Sequence, residues 1–154
     1  MNSINKDYIN IKIIVLIFLI VSLLQAQSLK DIKFKNVTVD KITSIYDGDT
    51  FRVNINSYPP IIGHRMAIRV NGIDAPELRT KCSKEKNLAI KAKQLTVSIL
   101  RGAKVIELKN IKRGKYFRII ADVYADGKSV GNALLKRGLA VSYDGGTKTK
   151  DWCK

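Results

Sequence analysis

Hydrophobic and polar residues alternate along much of the first half of the chain. Three such stretches predict β-strands, and they cover residues 37–46, 49–56 and 65–71. In the second stretch Asp49 comes first and shares one face with Phe51 and the other apolar positions. In the third stretch Arg69 faces away from the apolar residues, or into the polar mouth of a closed barrel. The pattern therefore places Asp49 and Arg69 in strands and assigns each of them a face.

The pattern changes to a helical period in the middle of the chain. Four apolar residues recur at helical spacing between 84 and 101, namely Leu88, Ala92, Leu95 and Ile99. Gly102 follows as a helix stop. Two further strands are expected at 104–109 and 117–125, and a short helix at 129–137. This order indicates an α+β domain with two to three helices, whose strands could close on themselves as in the five-stranded OB-fold β-barrel.

A separate apolar run, IIVLIFLIVSLL, lies near the start of the chain at residues 13–24. It is shorter than the ~20 residues that a membrane-spanning helix needs, and small residues follow it. We therefore expect a secretory signal peptide, residues 1–26, with cleavage after Ala26 or Ser28, and a domain at 35–154. The expected location is secreted or periplasmic. A retained anchor is the alternative, and the protein would then be membrane-tethered.

The chain carries 28 lysine and arginine residues against 13 aspartate and glutamate residues, a formal net charge of +15. So basic a domain favours a polyanionic partner, because lysine and arginine neutralise phosphates and release their counterions. Nucleic acid is the first candidate and an anionic membrane surface is the second. On charge alone, a lysine-rich surface that only keeps the protein soluble stays open.

Two cysteines, Cys82 and Cys153, lie in the part of the chain that we expect to be exported. An even pair in an oxidising compartment suggests one disulfide. Two free thiols are the alternative. A zinc site is not expected, because the exported part has one histidine and no paired-cysteine spacing.

Carboxylates gather at the ends of two predicted strands. In the motif YDGDT, Asp47 and Asp49 flank a glycine, where a simple hairpin turn would also explain them. In the motif RVNGIDAPE, Asp74 follows the third strand. A hard divalent cation binds carboxylates, carbonyls and water, and calcium is the natural choice. The candidate ligands are Asp49, Asp74 and the carbonyl of Ala75.

Two arginines and a glutamate extend this group. Arg69 precedes Asp74 by five residues, and Arg118 begins the last long strand, although either could be a surface ion pair. Two arginine forks that face a cation would form a clamp for the extra negative charge of a phosphate transition state. Hydrolysis also needs a group that orients or deprotonates water, and Glu77 is the nearest unassigned carboxylate.

Four motifs resemble, in order and spacing, those of the staphylococcal nuclease (thermonuclease) family: DGDT, RVNGIDAPE, KYFRIIADVYADG and ALLKRGLA. The likeness covers roughly residues 37–143. It implies an OB-fold, calcium-dependent hydrolysis of DNA and RNA with little sugar specificity, and an export route that agrees with the signal peptide.

The resemblance also implies a role for each matching residue. The implied catalytic set is Arg69, Glu77 and Arg118. The implied metal ligands are Asp49, Asp74 and the carbonyl of Ala75. Asp47 is implied as an outer-shell group that acts through water. The implied substrate contacts are Lys115, Tyr116 and, on a looser alignment, Tyr143.

The sequence departs from the family pattern in two places. Phe117 and Ile119 flank Arg118 where family members typically have glycine, so we expect a bulkier approach to this arginine and a different preferred substrate. The sequence ends at DWCK, and a Cys82–Cys153 bridge is expected to hold this end in place of the long C-terminal helix of the best-known members.

The sequence thus predicts a calcium-dependent nuclease, a phosphodiester hydrolase with DNA and RNA as substrates. We expect a monomer with no protein partner and with membrane contact only through the signal segment. One alternative is a noncatalytic OB-fold module that binds nucleic acid, and another is an exported protein that adheres to anionic surfaces by charge. The retained acidic and basic positions favour the enzyme, because a pure binding module has no need of them.

Overall fold

The computed structural model describes residues 12–22 and 34–154 of the chain. The chain divides into two units between residues 33 and 34. In the first unit, residues 12–22 form helix α1, and all of their side chains are exposed. The predicted cleavage positions, after Ala26 and Ser28, lie outside the described residues, so the signal peptide stays a prediction. None of the helices in the described ranges is long and apolar enough to cross a membrane.

The second unit is an α+β domain with nine strands and three helices in its described residues. Their order along the chain is β1 (Val37–Thr38), β2 (Lys41–Ile45), β3 (Thr50–Asn54), α2 (Pro60–Gly63), β4 (Met66–Val70), β5 (Ile73–Asp74), α3 (Ser83–Gly102), β6 (Ile106–Arg113), β7 (Arg118–Ala125), β8 (Lys128–Ser129), α4 (Val130–Lys136) and β9 (Val141–Ser142). Seven strands form one sheet in the order β1-β6-β7-β4-β3-β2, with β8 paired to β7. Strands β5 and β9 form a small second sheet.

The two edge strands of the large sheet, β1 and β2, follow each other directly along the chain. The sheet must therefore curl to bring its two edges together. Between β1 and β2, the N–H of Val39 donates to the carbonyl of Ile106, and the N–H of Asp40 donates to the carbonyl of Asn54. This segment therefore bridges β6 on one side and β3 on the other. The resulting half-barrel is that of an OB-fold, so the predicted fold class is confirmed.

The inside of the half-barrel is filled by the apolar residues of the alternating strands. Six side chains in the long strands are almost completely buried, and they are Phe51, Val53, Ile68, Leu108, Ala121 and Val123. They occupy every second position, as the pleat of a strand requires. Asp49, just before β3, is also buried, with 1% of its surface exposed. The face predicted for Asp49 from the sequence is therefore the face that points into the domain.

One strand pair in the large sheet is parallel and joins distant parts of the chain. Strand β4 pairs with β7 so that Ala67 lies opposite Arg118 and Arg69 lies opposite Ile120. Residues opposite each other in a sheet share a face, and so do residues two apart in one strand. Arg118 therefore lies on the same face as Ala67 and Arg69. Strand spacing and rise place the Cα atoms of Arg118 and Arg69 about 8 Å apart.

Helix α3 packs with a face that only partly matches the predicted one, since Leu95 and Ile99 contact the edge of the core. Its buried residues are Ala89, Ala92, Thr96 and Leu100, whereas the predicted stripe was Leu88, Ala92, Leu95 and Ile99. Only Ala92 belongs to both sets, and the other three predicted residues are half-buried. The face is shifted because the small side chains of Ala89 and Ala92 allow a close approach that leucine and isoleucine would prevent.

Two further elements differ from their predicted form. The turn-like sequence YPPIIG contains the short helix α2, which Pro60 can begin because the first turn of a helix does not need its N–H. Strand β6 continues to Arg113 instead of ending at residue 109. Its register against β7 shifts between Lys109 and Lys112, and Asn110 has a φ of 50°. This bulge interrupts the alternation by which strands are predicted.

Candidate active site

The site begins at the tight turn between β2 and β3. One carboxylate oxygen of Asp47, Oδ1, accepts hydrogen bonds from the backbone N–H groups of Asp49 (3.1 Å) and Thr50 (2.8 Å). An aspartate that binds the backbone two and three residues ahead stabilises a turn. The simple turn interpretation of YDGDT is therefore correct for Asp47, and the same turn orients Asp49.

Gly48 allows this turn to lie directly against helix α3. A Cβ atom on Gly48 would lie 2.8 Å from Cβ of Ala92 and 3.0 Å from Cβ of Ala75. The hydroxyl of Thr96 donates to the carbonyl of Gly48 at 2.7 Å. Helix α3 thus holds the turn by a buried hydrogen bond and by close packing, and Asp49 is fixed by both.

Arg69 brings two buried carboxylates together. Its Nη1 atom forms an ion pair with Oδ1 of Asp49. Its Nη2 atom lies 3.0 Å from Oδ1 of Asp74 and donates to the carbonyl of Ile73 at 3.2 Å. Asp49 and Asp74 are only 1% and 3% exposed, and a buried charge is unfavourable unless it has such a partner. The structure therefore joins three predicted site residues through one guanidinium group.

The backbone of Ala75 contacts the same cluster. Its N–H donates to Oδ2 of Asp49 at 2.8 Å, while Oδ1 of Asp49 accepts a hydrogen bond from the hydroxyl of Thr50 at 2.9 Å. Ala75 is followed by Pro76, which favours an extended backbone at the preceding residue. All three predicted ligand residues, Asp49, Asp74 and Ala75, thus lie in one buried cluster.

The donor set is compatible with a hard cation. In residues 12–22 and 34–154, no group of three or more His, Cys, Asp or Glu side chains forms a metal site. The predicted ligand set has only two such side chains, because Asp49 and Asp74 would supply two carboxylates and Ala75 would supply a backbone carbonyl. Such an all-oxygen set suits calcium or magnesium, which complete their coordination with water or substrate oxygens, and it does not suit zinc.

Asp47 lies beside this cluster and is itself buried, with 6% of its surface exposed. Burial, together with repulsion from the Glu77 carboxylate, raises the pKa of Asp47 to about 6. The hydrogen bonds described for the Asp47 carboxylate lie within its own turn, at Asp49 and Thr50. Its predicted outer-shell role stays a prediction.

Glu77 lies at the exposed side of the cluster, where Lys148 binds it. The Nζ atom of Lys148 is 2.7 Å from Oε1 of Glu77 and 2.9 Å from Oδ1 of Asp74. The N–H of Glu77 donates to Oε1 of Glu85 at 3.1 Å, which fixes the Glu77 backbone to helix α3. Burial acts to lower the pKa of Lys148, but the hydrogen bonds to Glu77 and Asp74 outweigh it and the pKa is raised.

Sequence reasoning missed Lys148. It is one of many basic residues in the chain, and it lies 71 residues after Glu77 in the segment TKTK. No periodic pattern or motif distinguishes it from its neighbours. The only available signal was the expected disulfide, since a bridge at Cys153 limits where the residues just before it can lie.

That bridge is present in the structure. Cys82 and Cys153 form a disulfide with a Cα–Cα distance of 6.1 Å. Cys82 also caps helix α3, since its sulfur accepts a hydrogen bond from the N–H of Glu85. Next to the bridge, Trp152 is buried. The disulfide and the tryptophan together fix the tail segment, which we define as residues 144–154, beside the cluster.

Arg118 lies on the same sheet face as Arg69, but its side chain does not reach the carboxylates. In the described part of the chain, no ion pair or hydrogen bond joins Arg118 to Asp49, Asp74 or Glu77. Its guanidinium carbon lies 5.9 Å from the centre of the Tyr116 ring, and its Nε atom is buried without a hydrogen-bond partner. An unpaired buried donor costs about 1–3 kcal/mol, so this arginine has an unused capacity to bind an anion.

The β6–β7 hairpin carries the other predicted substrate contacts. Lys115 is exposed, and Tyr116 exposes 88% of its surface. Tyr116 and Phe117 have φ angles of 58° and 52°, in the left-handed region that favours glycine. The expected departure at Phe117 therefore falls on a backbone position for which glycine is the usual choice.

Tyr143 follows the small sheet formed by β5 and β9. Its N–H donates to the carbonyl of Gly72 at 3.0 Å, inside the RVNGIDAPE motif. Its hydroxyl donates to the carbonyl of Gly146 at 2.6 Å and closes a loop in the tail segment. Tyr143 is thus placed beside the site, and its contact with a base stays a prediction.

Comparison with known proteins shows the family of the chain. The family described as "Staphylococcal nuclease homologue" matches residues 67–152. Endonuclease YncB of Bacillus subtilis (strain 168) is 36% identical over 114 residues, which cover 72% of this chain and 50% of that protein. The SPbeta prophage-derived endonuclease YokF of the same organism is 36% identical over 111 residues, or 70% of this chain and 34% of that protein.

A plant protein shows the same relationship at lower identity. Staphylococcal-like nuclease CAN1 of Arabidopsis thaliana is 30% identical over 95 residues, or 60% of this chain and 27% of that protein. The chain spans half or less of the length of these three relatives. The family match includes more than half of the chain, with Arg69, Asp74, Glu77, Arg118 and Lys148. The chain belongs to the staphylococcal nuclease family.

Proposed function

We propose that the protein is a calcium-dependent nuclease that hydrolyses the phosphodiester bonds of both DNA and RNA after export. The observation that carries the proposal is the buried cluster in which the Arg69 guanidinium binds Asp49 and Asp74 while Ala75 binds Asp49. A cluster of buried charges is costly for a domain that only binds nucleic acid, so its presence favours a chemical role.

Calcium held by Asp49, Asp74 and the Ala75 carbonyl would polarise a phosphate oxygen and offset the charge that develops on it. The residues that hold it are already aligned by the Asp47 turn, by Thr96 and by Arg69. The exposed side of the cluster, where Glu77 lies, is the side from which a phosphate and a water molecule can enter.

Glu77 is proposed to act on the attacking water. Its side chain is 49% exposed and its backbone is fixed by Glu85, so the carboxylate can reach solvent without losing its position. The carboxylate accepts the water proton as the oxygen attacks phosphorus, while the bond from phosphorus to the leaving sugar oxygen breaks and that oxygen takes a proton from solvent. Glu77 therefore needs to be free of Lys148 during this step.

Arg69 and Arg118 are proposed to bind the phosphate from two sides. A guanidinium group has five N–H donors, and Arg69 uses at most three of them for Asp49, Asp74 and Ile73. The unpaired Nε of Arg118 is a further donor on the same sheet face. Donors placed in advance favour the more negative transition state over the ground state.

The nucleic acid is proposed to lie along the basic β6–β7 hairpin. Lys115 and Tyr116 are exposed there and can contact a phosphate, while Tyr143 lies beside Gly72 at the other side of the cluster. The net charge of +15 supports binding through phosphates, which is independent of base sequence and of the sugar.

The proposal is tested by incubating DNA and RNA with the protein, with calcium or with a chelator, and separating the products on a gel. Calcium-dependent fragments from both substrates support the proposal. A salt-sensitive mobility shift without fragments would instead identify a noncatalytic binding module. If neither fragments nor a shift is seen, the remaining alternative is a protein that adheres to anionic surfaces.

A matched pair of variants locates the activity. Glu77→Gln should lose at least about 10²-fold in rate because the general base is removed. Glu107→Gln, which removes the same charge from a half-buried ion pair with Lys109 on β6, should keep the wild-type rate. Equal rates for both variants would show that Glu77 has no role in the reaction.

A further inference from the structure

We propose that Lys148 is a tethered counter-ion that competes with the divalent cation for Asp74 and Glu77, so that cation binding displaces its ammonium group. The inference rests on the proposed cation site and names the residue that regulates it. It begins from the position of the Lys148 ammonium group, which bridges Glu77 at 2.7 Å and Asp74 at 2.9 Å.

Protein donors bind three of the four oxygen atoms of the two buried carboxylates. Oδ1 of Asp74 receives both Lys148 and Arg69. Oδ1 of Asp49 receives Arg69 and the hydroxyl of Thr50, and its Oδ2 receives the N–H of Ala75. A cation that coordinates Oδ1 of Asp74 must therefore replace Lys148 or Arg69.

Lys148 is the donor that can leave at the lowest cost. Its side chain is 45% exposed, whereas that of Arg69 is 12% exposed. An ammonium group on a flexible stem is readily rehydrated once it reaches solvent, whereas a planar guanidinium bound to two carboxylates is held in place. The Ala75 donor is part of the backbone and cannot move without its chain.

The tail segment keeps Lys148 close to the site after displacement. Cys153 is bound to Cys82 at the start of α3, and Trp152 is buried beside it. Five residues of extended chain span at most about 18 Å, so the Cα atom of Lys148 cannot lie farther than that from the Cα atom of Cys153. Such a short tether gives the Lys148 ammonium group a high effective concentration near Asp74 and Glu77. The ion pair therefore forms again when the cation leaves.

Lys150 provides a matched control within the same tail segment. Its Nζ atom lies 5.5 Å from the centre of the Trp152 ring, and none of its described contacts is to Asp74 or Glu77. Replacing either lysine with methionine removes the same charge from the same segment. A difference between the two variants therefore reports the direct contact and not the net charge.

Calcium affinity is measured by isothermal titration calorimetry on the disulfide-bonded protein and its variants. Lys148→Met should bind calcium at least about fivefold more tightly than the wild type, as expected when a partly exposed competing ion pair is removed. Lys150→Met should stay within about twofold, and Lys148→Arg, which keeps the charge, should bind no more tightly than the wild type. Equal affinities of Lys148→Met and Lys150→Met would overturn the inference.

A second measurement follows the ammonium group itself. Lysine acetylation with a dilute reagent, read by mass spectrometry, should become several-fold faster at Lys148 when calcium is added and should not change at Lys150. Unchanged or slower labelling of Lys148 would show that it stays in place and would overturn the inference. If neither the wild type nor Lys148→Met binds calcium at all, the proposed cation site fails, and the competition inferred from it fails too.

Discussion

Gly48→Ala tests whether the fixed position of Asp49 depends on close contact with helix α3. The new methyl carbon would lie 2.8 Å from Cβ of Ala92 and 3.0 Å from Cβ of Ala75, well inside the 3.5–4.0 Å at which carbon atoms attract. Neither neighbour has a flexible side chain that can move aside, so the backbone of the turn or of the helix must shift.

The expected cost follows from these contacts. An extra methyl group in a packed interior costs about 1–3 kcal/mol, and two contacts with immobile neighbours place this case near the upper end. Replacing glycine also restricts the unfolded chain, which returns up to about 1 kcal/mol. We therefore expect Gly48→Ala to lower the free energy of unfolding by about 2 kcal/mol, and to weaken calcium binding because Asp49 moves with the turn.

Urea unfolding provides the assay, with the fluorescence of Trp152, the single tryptophan, as the signal. With a slope of about 1–3 kcal/mol per M, the midpoint should fall by roughly 1 M. Gly102→Ala is the matched control, because a Cβ atom there meets nothing within 4 Å. Its midpoint should equal or slightly exceed that of the wild type. If both variants unfold at the same urea concentration, close packing at Gly48 is not what holds the turn.

Three further predictions concern activity, the disulfide and pH. Arg118→Ala should lower the rate of DNA cleavage at least about 10²-fold, which corresponds to about 3 kcal/mol, while Arg113→Ala on the same hairpin should stay within about threefold of the wild-type rate. A folded Arg118→Ala protein with the wild-type rate would contradict the role of this arginine. The double variant Cys82→Ser, Cys153→Ser opens a loop with a sequence separation of 71 and should lower the free energy of unfolding by about 4 kcal/mol. Urea unfolding of the wild-type protein in reductant should show the same decrease in this free energy. Hydrogen bonds from the N–H groups of Val105 and Lys104 hold the pKa of Asp126 below 3.8, so its stabilising effect is present above that pH and is lost as the pH falls. Asp126→Asn should therefore show a smaller drop in the urea midpoint below about pH 4 than the wild type, and equal drops would exclude this aspartate as a source of acid sensitivity.

The sequence predicted the long strands well because each one has several alternations on which the prediction could rest. The two-residue strands β5, β8 and β9 have no period, so no pattern could indicate them. The bulge at Asn110 hid the second half of β6 for a related reason, because it reverses the faces of the residues that follow. These elements depend on pairing between distant segments. The local pattern of hydrophobic and polar residues does not indicate which segments pair.

The candidate site could be predicted in part. Asp49, Arg69 and Asp74 were expected together, and the structure joins them. The contact of Gly48 with Ala92 and the position of Lys148 could not be predicted, because both depend on how α3 and the tail segment pack. The side chain of Arg118 was expected in the same group, but it lies against Tyr116, since a strand register determines the face of a residue and not its rotamer.

The parallel pairing of β4 with β7 has a consequence for folding. The two strands are held together by contacts such as the hydrogen bond from Asn71 to Asp122, which joins residues 51 positions apart. Pairs of this range form late, because a long loop must close before the contact can contribute. Until then Arg69 and Arg118 belong to separate segments, so we expect a partly synthesised or partly folded chain to be inactive. For a nuclease, this delay would protect the nucleic acids of the cell in which the chain is made.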